Sequence, residues 1–188
     1  MWAGEFGDAY TDRNRGAFFG RRPFWERMCF EHSFRNALEV GCNVGANLWW
    51  LAWLLGSRNV TGVDVNAKAL AALRTKLPDV QTQLASAASL PFPDGSFDLV
   101  FTVGLLIHIP GESLRQVMSE IVRCSRRYVI CVEYESGFHE QVEYRGTTLY
   151  KRRYGSCYHA YFPELKLVDS GFLTGPSWDD MTYWVLER

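Results

Sequence analysis

The sequence predicts an α/β fold in which a mainly parallel sheet is covered by helices on both faces. Short apolar runs alternate with helical patterns five times along the chain, as successive strand–helix units do. Two of these runs, residues 97–103 and 128–134, are apolar almost throughout, which is typical of strands buried on both faces. Two further alternating runs close the chain and predict a hairpin that adds one antiparallel strand.

Most predicted helices have their own start or stop signal. Pro23 suits the first turn of a helix, Gly56 suits the end of another, and Asn66 suits the cap of a third. The predicted strands are residues 36–40, 59–65, 80–84, 97–103, 128–134, 165–173 and 181–186, and the predicted helices are residues 23–33, 45–55, 67–76 and 110–123. We expect a loop or lid over residues 1–20 and an irregular, substrate-side insertion with a short helix over residues 135–163.

Composition narrows the class of protein. The chain has 188 residues, 47% of them apolar, and a net charge of −1, so we expect a single domain over 1–188 that does not bind nucleic acid or a membrane. No apolar stretch reaches the length of a membrane span, and the N-terminus lacks the pattern of a signal peptide, which favours a cytoplasmic location. The five cysteines form no Cys-x-x-Cys pair, so we expect reduced, mostly buried thiols and no metal site.

The segment Leu38–Leu48 predicts a cofactor site. An apolar strand ends in a turn of small residues that holds Gly41, Asn43 and Gly45, and an apolar helix follows. Such a turn lets the backbone approach a ligand, and the free N–H groups of the new helix face it. Asp64 follows nineteen residues after Gly45, where a carboxylate can bind two ribose hydroxyls. These features indicate a nucleoside-containing cofactor, and a purely structural turn is the alternative.

Two further stretches, Ala85–Phe92 and Ser96–Phe101, follow at set distances, and the second leads to His108 and Pro110. The segment Leu38–Leu48, the residue Asp64 and these two stretches are four separate features. In order and spacing, they resemble class I S-adenosylmethionine-dependent methyltransferases over about residues 36–134. The resemblance implies a Rossmann-like, seven-stranded sheet in the order 3-2-1-4-5-7-6 with strand 7 antiparallel. It also implies S-adenosyl-L-methionine as the cofactor.

The same resemblance implies roles for particular residues. Glu39 and the turn after it hold the amino-acid half of the cofactor, and Asp64 binds the ribose. Ser86 and Ala87 lie along the adenine, where the family usually has an aspartate. The full implied set is Tyr10, Arg13, Glu39, Gly41, Cys42, Asn43, Gly45, Asp64, Val65, Ser86, Ala87, Thr102 and Val103.

Beyond these motifs, nearly the whole chain resembles the methylases associated with pseudaminic acid biosynthesis, a bacterial nonulosonic-acid sugar pathway. The segments that carry this likeness are Gly4–Asn14, Glu133–Tyr134, Tyr144–Gly146, Tyr150–Arg152 and Asp179–Thr182. The chain departs from that family at Arg153 and over residues 135–141, where a substrate would bind.

Three residues are candidates for catalysis. His108 follows the fourth strand, at the sheet edge where ligands bind, and it is expected to titrate near neutrality as a base or substrate contact. A histidine satisfied by the backbone is the alternative. Glu133 and Tyr134 end the fifth strand at the same edge, and a buried, arginine-paired Glu133 is the alternative to a substrate contact.

Other residues are candidates for binding. Tyr144, Arg145, Lys151 and Arg152, together with Arg153, are expected to form a basic, aromatic cluster that grips a carboxylate or phosphate, with a solvated surface as the alternative. Tyr10 and Arg13 are expected to fold over the cofactor, with a flexible terminus as the alternative. Trp49 and Trp53 share a helical face and are expected to lie in the core.

The sequence therefore predicts an enzyme that transfers a methyl group from S-adenosylmethionine to oxygen or nitrogen of a small polar metabolite, such as a nonulosonic sugar or its nucleotide-linked form. Three alternatives stay open: a methyltransferase of another small molecule or carboxylate, a non-catalytic subunit that binds the cofactor, and an NAD-dependent oxidoreductase. The oligomeric state is left open.

Overall fold

A computed structural model describes residues 1–14 and 20–188 of the chain. The chain forms two compact units, residues 1–91 and 92–188. The first unit holds α1 (Glu5–Arg13), α2 (Arg22–His32), β1 (Ala37–Val40), α3 (Ala46–Leu55), β2 (Val60–Asp64), α4 (Ala67–Lys76) and β3 (Gln81–Leu84). Its three strands run parallel, β1 beside β2 and β2 beside β3.

The second unit begins with β4 (Phe97–Val103), a short 3-10 helix (Leu106–His108), α5 (Gly111–Cys124) and β5 (Ser125–Glu133). It continues with β6 (Glu140–Tyr144), β7 (Thr147–Lys151), α6 (Tyr154–Tyr161), β8 (Lys166–Leu173) and β9 (Met181–Glu187). β4 and β5 are parallel, whereas β9 is antiparallel to both β5 and β8. β6 and β7 form a separate two-stranded antiparallel sheet.

Seven of the strands form one sheet in the order β3-β2-β1-β4-β5-β9-β8. This order confirms the predicted fold class, because β8 and β9 are the sixth and seventh strands once the separate β6–β7 hairpin is set aside. The strands of the sheet centre are buried: Leu38 and Val40 of β1 and Leu99 and Phe101 of β4 are all 0% exposed. Within the described residues, no helix is both long and apolar enough to cross a membrane.

Two local expectations were wrong about backbone structure. Residues 5–13 form α1 rather than a loop, with acidic residues in its first turn and Arg13 in its last, which suits the helix dipole. Residues 140–151 form a hairpin within the segment expected to be irregular, although α6 confirms the expected short helix. The hairpin turns through Arg145 and Gly146, both in the left-handed region, as a two-residue hairpin turn requires.

The expectation that Trp49 and Trp53 lie in the core was also wrong. They are 41% and 62% exposed, whereas Leu48 and Leu51 of the same helix are fully buried. The guanidinium of Arg22 lies 4.6 Å from the centre of the Trp53 ring. Because α3 is apolar on every side, helical spacing alone could not tell which face packs inward. The cysteines are free, and Cys42, Cys124 and Cys131 among them are buried, as expected.

Candidate functional site

The loop after β1 has the backbone that a close-fitting ligand cradle needs. Gly41, Asn43 and Gly45 have φ angles of 79°, 45° and 82°. Asparagine is among the few residues with a side chain that tolerate this region, so its replacement of a glycine leaves the turn intact. A Cβ on Gly45 would lie 3.0 Å from Cγ of Leu73, so a side chain there would strain the backbone and crowd α4.

Asp64, at the end of β2, holds this loop in place. One carboxylate oxygen accepts the backbone N–H of Asn43 at 2.8 Å, and the other accepts that of Asn66 at 2.9 Å. Burial raises the pKa of Asp64, and these amide donors oppose the rise. A carboxylate offers about four lone-pair sites, so bonds to the loop leave acceptor capacity for hydroxyls. The ribose role of Asp64 stays a prediction.

Glu39 lies beneath the loop, and its carboxyl group is fully buried. Its Oε1 accepts a hydrogen bond from the side-chain amide of Asn47 in α3, and Asn47 in turn accepts from Arg21 at 2.8 Å and from the Trp25 indole at 3.2 Å. Among the described residues, none hydrogen-bonds to Oε2. Burial raises the pKa of Glu39 to about 8, against the opposing effect of Asn47 and Arg21.

Asn47 was missed by the sequence analysis, although it is a functional candidate because it fixes the orientation of Glu39. The signal was present in the sequence: it is the only polar residue in the ten residues of α3. A polar side chain inside an apolar helix needs a buried partner, and Glu39 is that partner.

The N-terminal helix reaches the same loop, through a residue that the sequence analysis did not single out. Thr11, which is 1% exposed, donates from its hydroxyl to the side-chain oxygen of Asn43 at 3.2 Å. The predicted cofactor residues Tyr10 and Arg13 flank it. The Tyr10 ring packs on Trp2 at 5.3 Å and lies 5.6 Å from the guanidinium of Arg13.

The predicted adenine-side residues follow β3 in a tight turn. The backbone N–H of Ser89 donates to the carbonyl of Ser86 at 3.0 Å, and Ser86 Oγ accepts from the backbone N–H of Ala88 at 3.2 Å. The N–H of Ala85 donates to the carbonyl of Asp64 at 3.1 Å, which keeps the start of this turn beside the end of β2. Ser86 is exposed and Ala87 is half-buried. Their contact with adenine stays a prediction, as does the contact of Val65 with the cofactor.

In the second unit, Glu133 clamps the turn that follows β4. Its carboxylate accepts the backbone N–H groups of Leu105, Leu106 and Ile107 at 3.0, 2.9 and 3.3 Å. It also accepts the hydroxyl of Thr102 at 3.2 Å, and it is fully buried. Burial raises its pKa to about 7, and the four donors oppose the rise. The partners observed are amides and a hydroxyl, not the arginine of the alternative interpretation, and a contact of Glu133 with substrate stays a prediction.

The turn that Glu133 clamps ends at His108. Burial lowers the pKa of this imidazole to about 4, so the expectation that it titrates near neutrality was wrong. A base with so low a pKa has little drive to take a proton at neutral pH. His108 is therefore neutral under physiological conditions and is suited to hydrogen bonding. Its contact with a substrate stays a prediction.

Three other candidates line the end of β4 and β5. Thr102 is fully buried and its hydroxyl is committed to Glu133, so it reaches a ligand only through its backbone. Val103 ends the strand half-buried, before Gly104 with its φ of 64°. The Tyr134 hydroxyl donates to a carboxylate oxygen of Asp179 at 3.0 Å.

The residues of the expected basic cluster are spread along the β6–β7 hairpin and the residue that follows it. Tyr144 pairs with Thr147 at the tip of the β6–β7 hairpin, where Arg145 forms the turn, whereas Lys151 pairs with Glu140 at its other end. Four residue steps separate the two ends, or roughly 14 Å at the usual rise of a strand. Arg152 is 7% exposed and donates to the carbonyl of Ile109 at 2.9 Å. The two ends of the hairpin are thus separated along its backbone, and a joint grip of these residues on a carboxylate or phosphate stays a prediction.

Comparisons with known proteins agree with this geometry. Residues 37–127 match the methyltransferase domain family. Methyltransferase GfsG of Streptomyces halstedii is 36% identical over 95 residues, which cover 47% of this chain and 33% of that protein. The chain spans about a third of the length of the curated relatives that it matches.

Solved structures share the fold. The 1,6-didemethyltoxoflavin-N1-methyltransferase of Burkholderia thailandensis, with S-adenosylhomocysteine bound, has a TM-score of 0.74 at 19% identity, covering 97% of this chain and 85% of that one. The magnesium protoporphyrin IX methyltransferase of Synechocystis, with S-adenosylmethionine bound, has a TM-score of 0.68 at 15% identity, covering 96% and 78%. Residues 37–127 thus match a methyltransferase domain, and the described residues share the fold of these S-adenosylmethionine-dependent methyltransferases.

Proposed function

We propose that this protein transfers the methyl group of S-adenosylmethionine to an oxygen or nitrogen atom of a small polar metabolite. The observation that carries the proposal is the loop at Gly41–Gly45, where three left-handed residues are pinned to the end of β2 by Asp64. This backbone cradle lies beside a buried acid, Glu39, whose Oε2 no described residue hydrogen-bonds. The class of the fold agrees with such a cofactor.

The residues present fit the cofactor. The loop from Gly41 to Gly45 would hold the amino-acid half, with Glu39 beneath it supplying negative charge to an ammonium. The spare acceptor capacity of Asp64 would take ribose hydroxyls. When bound, the cofactor supplies an electrophilic methyl group on a sulfonium. The protein's own task is to align the acceptor atom with that group and to exclude water.

The predicted substrate contacts His108 and Tyr134 are residues of the second unit. The clamp at Glu133 fixes the backbone of Leu105–Ile107 and hence the position of His108. A neutral His108 would orient an acceptor hydroxyl or amine by a hydrogen bond, and a carboxylate acceptor would need no base. The Tyr134–Asp179 pair supplies a second polar group after β5.

The finer proposal for the acceptor is a nonulosonic sugar of the pseudaminic type, or its nucleotide-linked form. It rests on the family resemblance of Gly4–Asn14 and Asp179–Thr182.

Transfer of an isotope-labelled methyl group tests the proposal. The purified protein is incubated with labelled S-adenosylmethionine and a fractionated metabolite extract, and labelled products are identified by mass spectrometry. We expect a labelled product of low molecular mass that disappears with Asp64→Ala and persists with Asp79→Ala, an exposed aspartate of the same unit. Binding of S-adenosylhomocysteine without any labelled product would favour the non-catalytic subunit instead.

A further inference from the structure

The N-terminal helix is joined to the cofactor loop by a closed ring of hydrogen bonds within the first unit. The Thr11 hydroxyl of α1 donates to the side-chain oxygen of Asn43, and the backbone N–H of Asn43 donates to the Asp64 carboxylate. Asp64 also accepts the backbone N–H of Asn66, whose side-chain amide donates back to Asp8 of α1 at 2.9 Å. Asp8 and Thr11 are three residues apart, so they lie on one face of the helix.

Asn66 uses every polar atom of its side chain in this arrangement. Its oxygen accepts the backbone N–H of Ala69 at 2.9 Å and so caps α4. Its nitrogen donates to Asp8 and also to the carbonyl of Trp2 at 3.0 Å. The residue is 4% exposed. Because one side chain both caps α4 and holds the segment around α1, the position of α1 depends on its amide group.

The close packing of α1 against Trp2 and Asn66 leaves no room for a side chain at position 7. Gly7 of α1 is buried, and a Cβ there would lie 1.8 Å from the Trp2 carbonyl oxygen and 2.7 Å from the Asn66 side-chain nitrogen. No such approach is tolerated between nonbonded atoms. Glycine at this position is therefore what lets α1 come close enough for Asn66 to bind it.

We propose that Asn66 is a latch that holds the N-terminal helix against the cofactor loop and thereby slows release of the S-adenosyl cofactor. The second half of this proposal rests on the proposed function, whereas the latch itself does not. Asn66 is a positioning residue: it acts on the loop through α1 and Asp64. Opening the latch frees Thr11 from Asn43 and loosens the cradle on one side.

The substitution Asn66→Asp separates the latch from the cap. Aspartate caps a helix as well as asparagine does, so α4 keeps its first turn. The new carboxylate cannot donate, however, and it would face the Asp8 carboxylate and the Trp2 carbonyl. Loss of the hydrogen bond to the half-buried Asp8 carboxylate costs enough to shift a local equilibrium by about tenfold or more. We expect the amides of Glu5–Arg13 to exchange hydrogen at least about tenfold faster than in the wild type.

Three further variants make the test specific. The double variant Asp8→Asn with Asn66→Asp restores a donor–acceptor pair and should recover part of the protection. Gly7→Ala should release α1 even though alanine is the better helix former, so a loss of protection cannot come from helix propensity. Lys68→Ala is the matched control, because its bond to Asp12 joins the same two helices through an exposed ion pair that contributes little.

Dissociation of S-adenosylhomocysteine, followed by stopped flow, completes the experiment. We expect it to accelerate in Asn66→Asp and Gly7→Ala by a factor similar to that for exchange, and to stay unchanged in Lys68→Ala. Equal protection of α1 in the wild type and Asn66→Asp would overturn the latch, and unchanged dissociation from a released helix would overturn its effect on cofactor release. Failure of the ligand to bind the wild type would instead refute the proposed function, while hydrogen exchange would still decide the latch.

Discussion

At the scale of single residues, the buried acid Glu39 has the property that bears most on cofactor binding. Its burial raises its pKa to about 8, so without a ligand it carries a proton at pH 7. A cationic group brought beside it lowers that pKa and drives the proton off. Binding of a ligand with an ammonium group is therefore linked to proton release.

The expected result is an affinity for S-adenosylhomocysteine that rises with pH up to about 8 and then levels off. Below that point the ligand must displace a proton, so affinity rises by at most tenfold per pH unit. Calorimetry in buffers of different ionisation enthalpy measures the protons released. In Glu39→Gln the release should vanish, and release that persists in this variant would show that another group is responsible.

His108 behaves in the opposite sense, because burial lowers its pKa to about 4 and leaves it neutral. We expect no inflection from this residue in the pH–rate profile between pH 6 and 8. His108→Gln, which keeps a neutral hydrogen-bonding group, should retain far more of kcat than His108→Ala. Equal losses in both variants, with an inflection near pH 6.5 in the wild type, would instead support a general base.

At the scale of elements, the turn after β4 depends on one side chain from β5. Three successive N–H groups and the Thr102 hydroxyl converge on Glu133. Glu133→Ala leaves these buried donors without an acceptor and should lower the free energy of unfolding by about 1–3 kcal/mol. Denaturant unfolding measures the change, with Glu143→Ala on the exposed β6 as the control, expected within about 0.5 kcal/mol. An equal effect in the two variants would contradict the clamp.

The sequence predicted elements well wherever local chemistry marks them. Asn66 accepts from the Ala69 amide as a cap should, and Gly56 follows the last residue of α3. The β6–β7 hairpin was missed because its turn is Arg145–Gly146, and arginine is a rare first residue for this turn. The helix α1 was missed because its segment is polar and contains a glycine, and because its contacts with Asn43 and Asn66 cannot be seen in the local sequence.

The candidate site was only partly predictable, because only some of its residues are marked by a local sequence pattern. The spacing of residues along the chain predicts Gly41, Asn43 and Asp64 as site residues. Asn47, Thr11 and the clamp of Glu133 depend on contacts between residues far apart in sequence, such as the 32 positions between Thr11 and Asn43. The pKa of His108 likewise depends on burial, which no local pattern reveals.

At the scale of the whole molecule, the order β3-β2-β1-β4-β5-β9-β8 with an antiparallel β9 defines the class of the fold. The fold alone does not determine the ligand, because several cofactors bind to sheets of this kind. We propose that the loop at Gly41–Gly45, together with Asp64, selects an adenosyl cofactor.

The decisive test of cofactor selection is isothermal calorimetry. The binding of S-adenosylhomocysteine and of NAD is measured for the wild type, Asp64→Ala and Asp79→Ala. We predict binding of S-adenosylhomocysteine, no binding of NAD, an affinity reduced about tenfold or more in Asp64→Ala, and no change in Asp79→Ala. Binding of NAD in preference to S-adenosylhomocysteine, or an undiminished affinity in Asp64→Ala that still folds, would contradict the account.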